Sequence, residues 1–382
     1  MNRTIDIRLS RVNVTPPSLR LYPNNAVIAA LTIEINLGQL FLHKYFDETP
    51  LAPPDPDPSS FEYLRYVSPS ADFRFHAYIA SASLVKRREI SLSLGQAFCR
   101  LLLSEHFGIV HFAHMNDVLG KGVHPAFGGI RVERACPGDV PDYLCGDDTK
   151  TFLAEAKGRF SNIKFNSAAF SDWRDQFTRV RIVDSTKIRR NLKGYIIATQ
   201  LVTDANPATR KSTTFIEDPE TGGEPITREQ AIQLSRATKA IHYGQILRKL
   251  RLTPLASALT MGYALTRQLS FQAPVWTCNT PPFQGRTYIG GFYRTGEGQG
   301  PILTEKGWML PLEFGTSHAV FVGLQSQVAA QLSHAARGEW NSLDELGPIG
   351  PEGLTSSEFA WLLDGTVAAP AVNFFPTGAV TL

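Results

Sequence analysis

The chain has 382 residues, of which 43% are apolar and 19% are charged, and its formal net charge is +3. This composition is typical of a globular protein with a sizeable core, and the small charge demands no basic tail. No apolar run is long enough to span a membrane, so we expect no membrane partner. The four scattered cysteines form neither a zinc pattern nor a disulfide framework, so we expect reduced thiols and a cytoplasmic protein.

Residues 1–85 are expected to form a β-rich N-terminal region. Polar and apolar residues alternate from Thr4 to Leu9, as in a half-buried strand rather than a signal peptide. Apolar runs over residues 5–14, 27–42 and 73–82 predict strands. Residues 53–58 are prolines and aspartates, which exclude a helix or a central strand and predict an exposed loop or linker.

Residues 86–205 change to a mixed pattern of helices and strands. Apolar residues recur at three- and four-residue steps over residues 93–107, which predicts a helix that stops at Gly108. A second helix is predicted over residues 167–183. Strands are predicted over residues 109–113, 129–135, 140–145, 151–157 and 194–202. The Gly- and Asp-rich residues 146–150 predict a hairpin turn between the third and fourth of these strands.

Residues 226–382 predict a mixed C-terminal region that follows a loop over residues 204–225. Thr227 opens a helix with Gln230 in a capping box, and this helix runs towards Leu250. Further helices are predicted over residues 254–269 and 325–337, with strands over 287–294 and 318–324 and loops from residue 348 onward. The whole chain is therefore predicted to be an α/β protein.

Three residues in the middle region carry the strongest chemical signal. Glu155 and Lys157 lie two positions apart on a predicted strand, so they point to the same face. If the two strands of the predicted hairpin pair, Asp142 comes close to Glu155. Two neighbouring carboxylates repel each other unless one binds a proton or both bind a cation. A divalent ion would neutralise them, orient a phosphate and lower the pKa of a bound water.

The pair Pro141-Asp142 followed by Glu155-Ala156-Lys157 resembles the motif of the PD-(D/E)xK nuclease superfamily, and the resemblance covers about residues 90–203. It implies a restriction-endonuclease-like core: a helix, a three-stranded meander, a helix and a strand. It also implies that Asp142, Glu155 and the Ala156 carbonyl bind Mg²⁺ or Mn²⁺ while Lys157 activates a water.

The same resemblance suggests two further site residues on the flanking helices. Gln176 on the second helix would orient the lysine or a phosphate. Glu105 is the matching residue on the first helix, although Glu89 or Gln96 could take its place because Glu105 lies near the end of that helix.

Two alternatives for the motif stay open. Asp147 and Asp148 are fallback ligands, because the position of Asp142 depends on the hairpin register. The tripeptide Asp148-Thr149-Lys150 is a second match, but it falls in the predicted turn. The hairpin could also be a surface hairpin in which Glu155 and Lys157 form a solvated pair.

A basic segment beside the motif suggests a nucleic-acid partner. Residues 157–193 contain ten lysines and arginines but only three aspartates. Phosphate contacts supply much of the affinity of proteins for DNA, so a basic segment beside a metal site is expected of a DNA-cleaving endonuclease. A solvated basic face is an equally common reason for such a run. By analogy with the family we expect an effector of a bacterial anti-phage defence or restriction system, restrained by a homo-oligomer or a partner protein. The alternative is a non-catalytic subunit that keeps the nuclease fold and binds nucleic acid or protein.

Overall fold

A computed structural model describes residues 2–21, 29–48, 66–147, 150–184, 189–221, 224–294, 319–350 and 360–382. Its helices are α1 (Leu37–Asp47), α2 (Leu84–Phe107), α3 (Met115–Val118), α4 (Ala168–Thr178), α5 (Arg228–Lys249), α6 (Thr253–Met261) and α7 (Ser326–Ala336). Its strands are β1 (Asn2–Ser10), β2 (Thr32–Asn36), β3 (His111–His114), β4 (Arg131–Arg134), β5 (Tyr143–Gly146), β6 (Thr151–Arg159), β7 (Val180–Val183), β8 (Arg189–Arg190), β9 (Gly194–Gln200), β10 (Thr213–Glu217), β11 (Gln272–Cys278), β12 (Thr287–Arg294), β13 (Ala319–Gln325), β14 (Ala360–Trp361), β15 (Thr366–Pro370) and β16 (Phe374–Thr381). The protein is of the α/β class, as predicted.

The described residues divide into two compact units. The first contains Asn2–Ile35 and Tyr66–Thr238. The second contains Lys239–Leu382 and the segment that begins at Asn36, as far as they are described. The predicted loop or linker at residues 53–58 lies outside the described residues.

A mixed sheet forms the centre of the first unit, with seven described strands in the order β2-β1-β10-β9-β6-β5-β3. Strands β3, β5 and β6 form an antiparallel meander, and β9 then lies parallel to β6. Strand β10 is antiparallel to β9, and β1 is parallel to β10. Strand β1, expected in a separate N-terminal region, is therefore part of the same sheet as β6.

The two faces of β6 are covered by different helices. A side chain at Gly158 would collide with the carbonyl of Ser91, and one at Gly95 would collide with the backbone of Lys157 and Gly158, so α2 packs directly on this strand. On the opposite face, a side chain at Gly194 would meet the ring of Phe177 on α4. Gly194 is the register partner of Leu153. Because side chains alternate along a strand, the even residues of β6 face α2 and the odd residues face α4.

Two predicted elements in the N-terminal third are wrong. The apolar run over residues 27–42 was expected to be extended, but β2 ends at Asn36 and α1 follows. The Asn36 side chain accepts hydrogen bonds from the amides of Gly38 and Gln39, which is an N-cap that starts a helix within an apolar run. The predicted strand over residues 73–82 contains only isolated bridges at Phe75, followed by a 3-10 helix at Ala77–Ser81.

The second predicted helix of the middle region is shorter than predicted. The helix expected over residues 167–183 ends at Thr178, and the β-branched residues after it form β7. Strand β7 pairs with β4 and β8 in a separate sheet with three described strands, so β4 does not belong to the meander.

The loop expected over residues 204–225 contains β10, a fully buried strand. The capping box of α5 is confirmed, because Thr227 and Gln230 exchange side-chain to backbone hydrogen bonds of 2.8 and 3.2 Å.

The second unit contains a sheet with six described strands in the order β14-β15-β13-β12-β11-β16. Its core includes Cys278, Phe283, Phe321 and Phe374. The prediction of loops from residue 348 onward is wrong for β15 and β16, whose cross-strand hydrogen bonds depend on β13 and β11 far away in sequence. Among the described residues, no helix is both long and apolar enough to cross a membrane.

Candidate active site

The hairpin of β5 and β6 places Asp142 beside Glu155. Tyr143 pairs with Ala154, so the next residues outward, Asp142 and Glu155, lie opposite each other. Strand β5 stops there while β6 continues to Arg159. Beyond the end of β5, the Asp142 side chain supplies the hydrogen-bond acceptor that a continuing strand would have supplied. Its Oδ2 accepts a 2.8 Å hydrogen bond from the Ala156 amide. The two predicted strands therefore pair, and this register brings Asp142 close to Glu155.

Lys157 completes the group on this strand. Its ammonium forms an ion pair with Oε1 of Glu155, and Nζ lies 3.9 Å from Oδ2 of Asp142. Glu155 has no exposed side-chain surface, whereas Asp142 and Lys157 keep 22% and 24% of theirs. The structure thus brings Asp142, Glu155 and Lys157 together, with Glu155 at the bottom and the other two towards solvent. Because Glu155 is fully buried, the alternative in which Glu155 and Lys157 form a solvated surface pair is excluded.

Burial and charge act in opposite directions on the ionisation of this trio. Burial raises the pKa of Glu155 well above its ordinary value, and the Asp142 carboxylate raises it further, against the opposing effect of Lys157. Burial disfavours the charge on Lys157, but Glu155 and Asp142 outweigh it and raise the pKa of the ammonium. Lys157 is therefore a cation, and its charge favours the ionised form of Glu155, as a further cation at this position would.

The donor set fits a divalent metal ion with few protein ligands. Oε2 of Glu155 is buried and accepts no hydrogen bond from the described residues. The amide of Ala156 points towards Asp142, so its carbonyl points to the same side, where β5 no longer pairs. Among the described residues, no group of three or more His, Cys, Asp or Glu side chains converges as a metal site. Two carboxylates and a carbonyl suit Mg²⁺, which keeps several waters when it binds to proteins.

Asp147, one of the two fallback ligands, does not lie at this position. Asp147 follows the other end of β5, where Gly146 pairs with Thr151. Its Oδ1 accepts a 2.7 Å hydrogen bond from the Lys150 amide within the turn. Asp148 lies outside the described residues, as does Thr149 of the second motif match.

Gln176 lies on the helix that covers the functional face of β6. Glu155 and Lys157 are odd residues of β6, so they point to the face that α4 covers. Gln176 is a buried residue of α4, and its Oε1 accepts no hydrogen bond within the described part of the chain. A buried amide oxygen without a partner is costly, so a donor at this position would stabilise it.

Glu105 lies away from the trio. It is exposed near the C-terminal end of α2, and α2 covers the even face of β6. Ser91 and Gly95 are the residues of α2 that contact Gly158, next to Lys157. Glu105 is ten residues further along, which is about 15 Å at the rise of an α-helix. Of the alternatives, Glu89 is exposed and paired with Lys86, and Gln96 is half-buried.

Most of the arginines described in the basic segment have partners in the fold. Arg174 forms a bidentate ion pair with the buried Glu217, with distances of 2.5 and 2.9 Å. Arg181 pairs with Glu133, and Arg190 pairs with Glu224. These carboxylates come from β10, β4 and the loop before α5, so a count along residues 157–193 could not include them. The segment is therefore much less basic in the structure than in the sequence.

Arg159 is a further candidate site residue, which was not predicted from the sequence. It is the next odd residue after Lys157 on β6, so it shares the face of Glu155 and Lys157. Its guanidinium lies 4.8 Å from the centre of the Trp173 ring on α4. No carboxylate pairs with it in the described part of the chain. Strand alternation, applied two residues beyond Lys157, could have identified it.

Comparisons with known proteins add no relative to this picture. No protein-family model matches the chain, and neither curated proteins nor solved structures give a match. Any function must therefore be inferred from the residues of the site and from their arrangement in the sheet.

Proposed function

We propose that the protein is a metal-dependent nuclease that hydrolyses DNA phosphodiester bonds. The observation that carries this proposal is the trio itself: Lys157 lies beside two carboxylates, and one of them, Glu155, is fully buried. The order of α2, β3, β5, β6, α4 and β9, with β9 parallel to β6, supports it further. This is the order of elements that the PD-(D/E)xK resemblance implies.

In this proposal Asp142, Glu155 and the Ala156 carbonyl hold Mg²⁺ or Mn²⁺. The bound ion would supply a water of lowered pKa and positive charge next to the scissile phosphate. Lys157 keeps its proton because its pKa is raised, so it acts as a cation that orients the water and stabilises charge on the phosphate.

Arg159 and Gln176 have supporting roles in the same proposal. Arg159 has no carboxylate partner in the described part of the chain and lies one step along the strand from Lys157, about 7 Å at the usual strand rise. This spacing suits contact with a neighbouring phosphate of the same DNA strand. Gln176 would orient a phosphate or Lys157 through its amide.

Plasmid cleavage by the purified full-length protein tests the proposal. With Mg²⁺ or Mn²⁺ we expect nicked and linear products, and none with EDTA. Lys157→Ala should lower the rate at least about 100-fold, because it removes a cation next to the developing charge. Arg88→Ala is the matched control, since Arg88 is exposed on α2 and points away from the trio's face of the sheet. Equal cleavage by wild type and Lys157→Ala would contradict the proposed mechanism.

The second candidate is a non-catalytic subunit that binds nucleic acid or protein. The complete burial of Glu155 and its ion pair with Lys157 favour it, since a buried pair can be kept in a fold because removing one partner leaves an uncompensated charge. Salt-dependent DNA binding without cleavage at any divalent ion concentration would support this candidate.

A further inference from the structure

A cavity of about 420 Å³ lies in the first unit at the N-terminal ends of β6 and β9. Its walls are the first residues of β6, the residues that lead into β9, and the residues that lead into α5. It is separate from the trio. Phe152 lines the cavity while Lys157 lies five residues further along the same strand, about 16 Å away, and on the other face.

The walls of this cavity are tied to each other by hydrogen bonds. The Thr151 hydroxyl donates to the Ala231 carbonyl over 3.1 Å, which joins β6 to α5. The Asn191 amide donates to the Glu224 carbonyl over 3.1 Å, and the Leu153 amide donates to the Lys193 carbonyl over 2.8 Å. The cavity is thus preformed, and its volume is within the range of small-molecule sites.

The lining of the cavity combines positive charge with apolar surface. Lys150, Lys193 and Arg228 contribute the charge, and the described lining contains no carboxylate. Lys193 has one acidic neighbour, Asp218, at 3.9 Å, while Lys150 and Arg228 have no ion pair in the described part of the chain. Phe152 and Ile226, which are half-buried, and the buried Leu192 contribute the apolar part of the lining.

Arg228 occupies a position that the helix itself disfavours. It is the first residue of α5, where the helix dipole is positive. A cation there repels the dipole, while Glu229 in the same turn is favoured by it. An anion in the cavity would be attracted both by Arg228 and by the start of the helix, so its binding would offset the repulsion between Arg228 and the helix dipole.

We propose that this cavity binds a nucleoside phosphate. Three cations match a ligand with several negative charges, and the apolar surface formed by Phe152, Leu192 and Ile226 matches a base or ribose ring. The ligand can be a free nucleotide or the phosphorylated end of a nucleic-acid strand, since both present the same chemistry. The site is independent of the trio, so it can exist whether or not the protein cleaves DNA.

Calorimetric titration of the full-length protein with ATP and with UTP, without divalent ions, tests the proposal. We expect at least one of them to bind, and adenosine and pyrophosphate to bind more weakly because each offers only half of the contacts. The double variant Lys150→Ala/Arg228→Ala should weaken binding about tenfold or more, as expected when two charge-assisted contacts are lost. The matched control is Lys164→Ala/Arg88→Ala, which removes the same two residue types from exposed positions outside the cavity.

A second titration identifies the source of the ligand. An oligonucleotide with a 5′-phosphate is compared with the same strand ending in a hydroxyl. Binding that needs the 5′-phosphate and the two cations supports a strand end, and nucleotide binding that needs them supports a free nucleotide. The proposal is overturned if neither ligand binds at millimolar concentration, or if the control variant loses as much affinity as the cavity variant. Thermal melts of both variants show whether each is folded, and Ile226→Trp, which fills the cavity without altering charge, should also abolish binding.

Discussion

Asp142 combines a structural and a chemical role in one carboxylate. Its Oδ2 closes the end of the β5–β6 pairing by accepting from the Ala156 amide, and the same oxygen lies 3.9 Å from the Lys157 ammonium. An amide side chain keeps the first role but not the second, because its carbonyl oxygen accepts a hydrogen bond without carrying charge. The two roles can therefore be separated by substitution.

We expect Asp142→Asn to change stability little and Asp142→Ala to cost about 1–3 kcal/mol, because alanine leaves the Ala156 amide without its acceptor. If the wild type binds Mn²⁺ as proposed, its melting temperature should rise with Mn²⁺, and both variants should lose this rise because a neutral side chain binds the ion poorly. Urea denaturation and melting curves with and without Mn²⁺ measure the two effects. A full Mn²⁺ shift in Asp142→Asn would remove this residue from the metal site.

Single residues also show how far the site could be predicted. Glu155 and Lys157 follow from strand alternation, and Asp142 follows once the Gly- and Asp-rich turn sets the register of the hairpin. The ion pairs of Arg174 and Arg181 could not be predicted, because Glu217 and Glu133 lie more than 40 positions away in sequence. Tertiary partners of this kind decide which basic residues remain without an acidic partner.

Among the elements, the contact of α2 with β6 sets the position of the trio. Gly95 and Gly158 allow the helix backbone to approach the strand so closely that no side chain fits between them. Gly158 directly follows Lys157, so the helix supports the strand at the residue next to the site. Displacing the helix would therefore move the site as well as loosen the core.

We expect Gly158→Ala to cost about 1–3 kcal/mol of stability, the usual range for an overpacked core. Cleavage should fall further than the loss of folded protein explains, because Lys157 shifts with its neighbour. Urea denaturation and plasmid cleavage at a temperature where the variant is folded measure both effects. Gly291→Ala is the control, since a side chain there meets open space. Unchanged stability in Gly158→Ala would show that the helix can move aside at no cost.

Elements with their own local signals were predicted well, and elements that depend on distant partners were not. Helix α5 has a capping box, and the β5–β6 hairpin has a turn sequence, so both follow from neighbouring residues. Strand β10 lies among prolines, glycines and charges, and only its place between β9 and β1 makes it a buried strand. Helix α1 was missed because one asparagine, Asn36, caps it within an apolar run.

At the scale of the whole molecule, a buried ion pair in the second unit links stability to acid pH. His242 Nε2 lies 3.0 Å from Oδ2 of Asp364, and both side chains are 1% exposed. Burial alone would raise the pKa of Asp364, but hydrogen bonds and charge from His242, with hydrogen bonds from Thr366, lower it to about 2. A carboxyl group whose pKa is lower in the folded state stabilises the fold above its unfolded pKa.

We expect the stabilisation from Asp364 to be complete above its ordinary pKa of 3.8 and to disappear as the pH falls towards 2. The size of the effect is about 2 kcal/mol. Urea denaturation at several pH values between 2 and 6 measures this stabilisation, if unfolding is monitored by a signal that reports on the second unit. Asp364→Asn should be less stable at pH 6 and should lose this part of the pH dependence. A variant with the same slope as wild type would assign the acid sensitivity to other carboxyl groups.

The place of β1 in the central sheet governs the order in which the first unit can fold during synthesis. Strand β1 ends at Ser10, but its parallel neighbour β10 ends at Glu217, so the ribosome releases one long before the other. Until β10 has been synthesised, the backbone groups of β1 that would pair with β10 have no partner. Unpaired strand edges of this kind can pair with strands of other chains and cause aggregation. Nascent chains that stop before β10 should therefore aggregate and be cleaved by proteases, and chains that stop just after it should resist both.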